Sequence, residues 1–258
     1  MDTTVAARIH QRSEAVFRNL VASAPVAVLV RGGQKQVATK TGSYTAQAGS
    51  VLLLPDRIPL EICNRLGAER GYCAATIVIP SHVVVQTKAD CHLSATNDSR
   101  VVGAFERALI SCTDPLVPEH LRAHYVQEVL LWLAELGIYL PPSRKETVVD
   151  RARALINTSL DTPWKADDVA ARLGLSEASL RRHMASNGTS FSALLSDVRM
   201  TQALALLQST DLSINRTALE VGYASPSKFA ARFRDRFDVT PSAIRSGALI
   251  RSGQDLIG

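Results

Sequence analysis

The chain has little of what many function classes require. Its four cysteines, Cys63, Cys73, Cys91 and Cys112, form no CxxC pair, so neither a zinc finger nor a disulfide framework is indicated. No stretch approaches the roughly 18 uninterrupted apolar residues of a membrane span. The start, MDTTVAARIHQRSEAVFRNL, carries an acid at position 2 and no long apolar run, so it does not read as a signal peptide. No P-loop, GxGxxG or catalytic-triad pattern occurs, and there is no low-complexity tract. The expectation is a reduced, cytoplasmic protein with no catalytic residues, no metal and no cofactor.

What is present is a core and a modest basic excess. Hydrophobic residues make up 46% of 258, enough for one large domain or two smaller ones. The net charge is +5. Residues 1–143 are almost balanced, with 13 Lys and Arg against 12 Asp and Glu. Residues 144–258 carry 16 against 12, so the excess lies in the C-terminal part and has the sign a polyanion partner requires.

That part contains the stretch GYASPSKFAARFRDRFDVTPSAIR, residues 222–245. Ser225 followed by Pro226 predicts a helix start, with Ser as N-cap and Pro at the first helical position. Phe229, Phe233 and Phe237 recur every four residues and share one face. The other side carries Ser227, Lys228 and Ala231, flanked by Arg232. Ahead of it, SINRTALEV at 213–221 predicts a short helix, and Gly222-Tyr223-Ala224 a tight break. A helix, a Gly-containing turn and a capped helix with a polar outward face form the helix-turn-helix pattern.

Residues 164–187 repeat the device. Trp164, Val169, Ala170 and Leu173 predict an amphipathic helix, with Asp167 and Asp168 near its start, where the macrodipole favours acids. Gly174-Leu175 breaks it, and Ser176 caps the next helix. Leu180 and Met184 turn inward. Ala178, Ser179 and Arg182 lie opposite, with Arg181 on the flank. Between the two units, SFSALLSDVRMTQALALLQ predicts one helix whose apolar side switches from Phe191, Leu194, Leu195 and Val198 to Met200, Ala203, Leu204 and Leu207. Nineteen helical residues span about 28 Å. Successive major-groove faces lie about 34 Å apart, so such a spacer suits two recognition helices, 176–187 and 225–237, in adjacent grooves.

With these residues in view, positions 164–245 resemble the DNA-binding domain of the AraC/XylS family of transcription regulators. The resemblance rests on AARLGLSEASLRR, on FSALLSDVRM, and above all on VGYxSxSxFxxxFRxxFxVTPS. It implies that Ala178, Arg181 and Arg182 of the first recognition helix, and Ser227, Lys228, Ala231 and Arg232 of the second, face DNA bases. Ala178 and Ala231 are small where many members carry larger reading residues. Arg181, Arg182 and Lys228 are the expected base or phosphate contacts, since Arg or Lys on guanine is the commonest specific pairing. Ser176 and Ser225, with the helix N-termini, would grip phosphates, and Ser179 is a further DNA-binding candidate on the outward face. Arg199 falls where the family has a buried arginine in the spacer helix and is read as structural.

The N-terminal half reads differently. PVAVLV, QKQVAT, GSYTAQ, GSVLLLP, LEICN and YCAATIVIP, within residues 25–80, are short β-type runs between breaks. Gly49 to Asp56 with Leu60 and Asn64 resembles the second cupin motif. Leu60 stands at its metal-binding His position and Arg57 at a Gly position, and the first cupin motif is missing. The expectation is a cupin-like barrel without metal, matching the regulatory domain the family often carries. Residues 97–140 read as helical, with 118–140 a candidate homodimer helix. His120 and His124 are four apart, but no third ligand is signalled. Cys63 and Cys73 are expected across a hairpin, as free thiols. Cys91-His92 belongs to no motif.

The predicted architecture is α+β and two-domain. A cupin-like barrel with helices occupies 1–140, a linker 141–144, an all-α domain with two helix-turn-helix units joined by a linker helix 145–247, and a tail 248–258. The predicted function is a bacterial, nucleoid-associated transcription regulator, an activator, with promoter DNA and RNA polymerase as partners and no membrane. Similarity to the family's virulence- and stress-regulator branch implies a fatty-acid-like effector whose carboxylate pairs with Arg31 or Lys35. Control by a protein co-regulator is the alternative. A cupin-type enzyme fused to a DNA-binding domain is the remote one, disfavoured by the missing histidines.

Overall fold

The computed structural model describes residues 5–67, 71–83, 86–88, 93–142 and 144–246. The expected tail 248–258 and the Cys91-His92 pair lie outside them. Among the described residues the strands come first: β1 Val5–Gln11, β2 Ala15–Leu20, β3 Val26–Gly32, β4 Gln34–Thr39, β5 Gly42–Gln47, β6 Val51–Leu54, β7 Leu60–Arg65, β8 Tyr72–Val78 and β9 Ala95–Thr96. The helices follow: α1 Ser99–Thr113, α2 Glu119–Glu135, α3 Val148–Asn157, α4 Ala166–Arg172, α5 Glu177–Ser186, α6 Phe191–Ser209, α7 Ile214–Glu220, α8 Pro226–Phe237 and α9 Pro241–Ser246.

The strands form two antiparallel sheets, ordered β1-β8-β3-β6-β9 and β2-β7-β4-β5. Alternation along each strand puts one side chain in two between the sheets. Val28, Val30, Leu52, Leu54, Tyr72 and Ala74 from one meet Val37, Ala46, Leu60 and Ile62 from the other. The outer face of the five-stranded sheet, through Ala27, Leu29, Leu53, Ala75 and Ile77, packs on α1 and α2. This is the expected cupin-like arrangement, and Leu60, at the motif's His position, is buried core. Arg57 holds the left-handed φ of 56° that a glycine adopts without strain.

Two features differ from expectation. β1 and β2 belong to the barrel, although their sequences, VAARIHQ and AVFRNL, alternate poorly. Cys63 and Cys73 do not face each other across a hairpin, because β7 pairs with β2 and β4 whereas β8 pairs with β1 and β3. The chain crosses between sheets at that point, and both thiols are free.

The helical half has two cores joined through α6. Leu194 and Val198 at its start pack with Ile156, Trp164, Val169, Leu180 and Met184. Met200, Ala203, Leu204 and Leu207 pack with Ala218, Phe229, Phe233 and Phe237. The switch of apolar side along α6 is thus a switch of partner. The second core also contains Ala15 and Phe17 of β2, so the barrel and the C-terminal half share it.

Candidate nucleic-acid interface

Each helix-turn-helix unit is made by local chemistry. In the first, Gly174 turns the chain at φ 70°, and the Ser176 hydroxyl accepts from the Ser179 N–H at 3.2 Å to start α5. Leu180 and Met184 are buried, whereas Ala178, Arg181 and Arg182 are exposed and Ser179 is half-buried. Arg182 donates to the Ser179 hydroxyl at 3.2 Å. Arg181 pairs with Glu177 one turn back at 2.5 Å. An exposed pair of this kind contributes about 1 kcal/mol at most, so Arg181 is only weakly held.

In the second unit, Ser213 caps α7 and Ser225 caps α8, with Pro226 in the first turn. Between them Gly222 lies at φ 79°, and a Cβ there would meet the Leu160 carbonyl oxygen at 2.5 Å and the Arg199 guanidinium at 2.6 Å. Backbone conformation and space both require glycine. Phe229, Phe233 and Phe237 are buried, with successive ring centroids 5.8 and 4.8 Å apart. Ser227, Lys228, Ala231 and Arg232 are exposed on the other side, and Ser225 is half-buried. Among the described residues neither Lys228 nor Arg232 is in an ion pair. The cationic face of α8 is therefore uncommitted.

Asp197, Arg153 and Arg236, to which sequence reasoning gave no structural part, and Arg199, to which it did, fix the two units relative to each other. Asp197 of α6 accepts from Arg153 of α3 at 2.8 Å and from Arg236 of α8 at 2.8 and 3.0 Å. Arg236, one of the basic residues of the 222–245 stretch, thus faces inward. It also donates to the Arg18 and Asn19 carbonyls of β2, at 2.6 and 3.1 Å. Arg199 is half-buried and holds the carbonyls of Leu160, Thr162 and Gly222 at 3.1, 2.8 and 3.3 Å. Burial pulls its pKa below the usual arginine value. It ties the entry of the first unit to the turn of the second, which fits the structural role expected of it.

Arg31 and Lys35 do not come together. Arg31 lies on the outer, helix-facing side and pairs with Glu106 of α1 at 2.7 Å. Lys35 points between the sheets, donates to Asn64 Oδ1 at 2.8 Å and lies over the Tyr72 ring. Burial brings its pKa down to about 7. A cleft of about 2200 Å³ opens where the barrel meets the second unit, lined by Arg8, Arg12, Arg65, Tyr72, Gln208 and Phe237 among others. On α2, Leu121 and Leu131 are exposed, as is Leu136 just beyond it. Among the described residues no group of three or more His, Cys, Asp or Glu could hold a metal, and no helix is long and apolar enough to cross a membrane.

Residues 169–247 match the helix-turn-helix domain family. The transcriptional regulator SirC of Salmonella typhimurium is 35% identical over 103 residues, covering 40% of this chain and 35% of SirC. The virulence regulon transcriptional activator VirF of Shigella flexneri is 30% identical over 92 residues, 36% of this chain and 35% of VirF. The helical half is thus similar to a part of known transcription regulators. The chain spans about a third of the length of these curated relatives, and the match lies in the helical half. Across nearly its whole length the chain has the fold of ToxT from Vibrio cholerae, with a TM-score of 0.64 at 15% identity over 96% of this chain and all of that one. ToxT bound to an unsaturated fatty acid matches with a TM-score of 0.65, also at 15% identity, over 96% of this chain and 97% of that one.

Proposed function

We propose that this chain is a sequence-specific, DNA-binding transcription regulator that acts as an activator. In this reading 145–247 bind promoter DNA, 1–140 control them, and 141–144 join the two. Helices 176–187 and 225–237 enter two successive major grooves. Arg181, Arg182, Lys228 and Arg232 contact bases or phosphates, Ala178, Ser227 and Ala231 allow close approach, and Ser176, Ser179 and Ser225 grip the backbone. The observation that carries the reading is the pair of capped helices, each with an exposed small-and-basic face, on a frame in which Asp197 of α6 ties α3 to α8.

Control enters through the barrel. Its buried ammonium, Lys35, suits the carboxylate of an apolar, fatty-acid-like effector, and the fold shared with a ToxT that binds such a molecule supports that class. Arg31 on the outer wall is the second candidate. The exposed Ile110, Leu116 and Leu121 favour a second input, docking of a protein co-regulator on the α1–α2 end. Homodimerisation through 118–140 uses the same helix, and RNA polymerase is the downstream partner. The protein works in the cytoplasm on the nucleoid, and no catalytic role is assigned to it.

Genome-wide occupancy of the tagged full-length chain tests this. Discrete peaks sharing one motif at promoters whose transcripts fall on deletion of the gene are expected. Absence of specific peaks across growth conditions and after fatty-acid addition would refute it. Removing 1–143 is a poor substitute, because Ala15 and Phe17 would leave the core of the second unit.

A further inference from the structure

One continuous chain of buried side chains crosses the seam between the barrel and the helical half. Lys35 Nζ donates to Asn64 Oδ1 at 2.8 Å. Asn64 Nδ2 donates to Gln11 Oε1 at 2.9 Å. Gln208 Nε2 donates to the same Gln11 oxygen at 2.7 Å. Gln11 Nε2 donates to the Ser13 carbonyl at 2.6 Å. The four side chains come from β4, β7, β1 and α6, and all are less than a tenth exposed.

The chain has a direction. Lys35 Nζ donates to the Asn64 oxygen, which leaves the Asn64 nitrogen turned onward; in its protonated form the amine has three donors and no acceptor and holds that orientation. Gln11 then presents its oxygen, and that oxygen is what receives the linker helix. The amide orientation at the α6 joint thus follows from the donor inside the barrel. Gln208 lies in the half of α6 that carries the second unit. Near it Arg245 of α9 holds the Leu207 and Thr210 carbonyls at 3.4 and 3.0 Å, and the Arg12 N–H reaches the Ile244 carbonyl at 3.2 Å. A change at Gln208 therefore reaches α7–α9 before it reaches α4 and α5.

We propose that Lys35, Asn64 and Gln11 are positioning residues that transmit the state of the barrel interior to α6 through Gln208, and so set the docking of the second helix-turn-helix unit alone. This rests on the regulator reading only for its biological meaning, since the coupling is a property of the free protein. The test is amide hydrogen exchange on the full chain, without DNA or effector, for wild type, Lys35→Met, Gln208→Met and the double variant.

Loss of one buried hydrogen bond predicts an acceleration of about five- to tenfold. In Lys35→Met it is expected at 200–210 and 213–237, with 166–186 unchanged. The double variant should exchange no faster there than Gln208→Met alone. Acceleration confined to the barrel strands, or single effects that multiply in the double variant, would overturn the proposal. If Lys35→Met does not fold, Asn64→Asp takes its place. It satisfies the ammonium but removes the donor to Gln11, and the same pattern is required of it. Failure of this cycle leaves DNA occupancy untouched, and failure of occupancy leaves the cycle readable.

Discussion

The two helix-turn-helix units are alike in sequence logic and unlike in surroundings. Both have a glycine turn, a capping serine and a basic outward face. The core of the first is built wholly from residues between 148 and 198. The core of the second takes Ala15 and Phe17 from the barrel, where Phe17 meets Phe237 edge-on with centroids 5.5 Å apart. Arg236 adds two hydrogen bonds to β2, and Gln208 joins Gln11. One chain has thus placed a nearly self-contained helix-turn-helix unit beside one that shares its core with the barrel. The lesson is that repeated motifs need not be repeated devices, because the same local chemistry is coupled to different long-range contacts.

The comparison is broken or sharpened first in the cores. Phe233→Ala should cost about 3–5 kcal/mol and Leu180→Ala about 2–5 kcal/mol by chemical denaturation. Their reach should differ. Hydrogen exchange should show Phe233→Ala loosening β2 as well as α8, whereas Leu180→Ala leaves the barrel unchanged. A Phe233→Ala protein with a native β2 would remove the distinction. Next comes the tie between units. Asp197→Ala leaves two largely buried guanidiniums, Arg153 and Arg236, without their carboxylate, and about 1–3 kcal/mol should be lost in the same denaturation measurement.

The barrel gives a pH-dependent test. Burial takes Lys35 from 10.5 to about 7, so between these values the unfolded chain binds a proton that the folded chain does not. Stability from this group is therefore complete above the unfolded value and is lost as pH falls toward 7. Asn64 and Tyr72 face it, Cys63 acts on it only through its charge, and burial raises the Tyr72 pKa above the usual tyrosine range, which keeps that phenol neutral in this window. The stability of wild type relative to Lys35→Met should climb from pH 7 to 9.5, and a flat difference would contradict the burial of a titrating ammonium. Smallest of all should be the effect of Arg182→Ala or Lys228→Ala on stability, within about 0.5 kcal/mol, because both lie on exposed faces.

Local signals were read well from sequence, and long-range ones were not. Ser176 and Ser225 cap helices as their sequence context predicts, since a cap depends on residues three positions apart, and Ser190 and Ser213, which open the helical stretches expected there, are caps as well. The change of face along α6 was legible for the same reason. The seam was not. Gln11 and Gln208 are 197 positions apart, and nothing in either neighbourhood marks a polar residue that will be buried against the other. Asp197 and Arg236 look like surface charges until the fold brings them together. β1 is hard to read because Arg8 and His10 interrupt its apolar pattern, and Cys63 and Cys73 lie apart because β7 and β8, successive in sequence, belong to different sheets.

The most direct test of the central claim is selection of binding sites from random duplex DNA with wild type, Arg182→Ala and Lys228→Ala. Two separate readers predict a motif with two specified blocks about one helical turn, roughly 10 base pairs, apart. Arg182→Ala should relax one block and Lys228→Ala the other. If both substitutions relaxed the same bases, or neither changed the motif, the account of two recognition helices in successive grooves would be wrong.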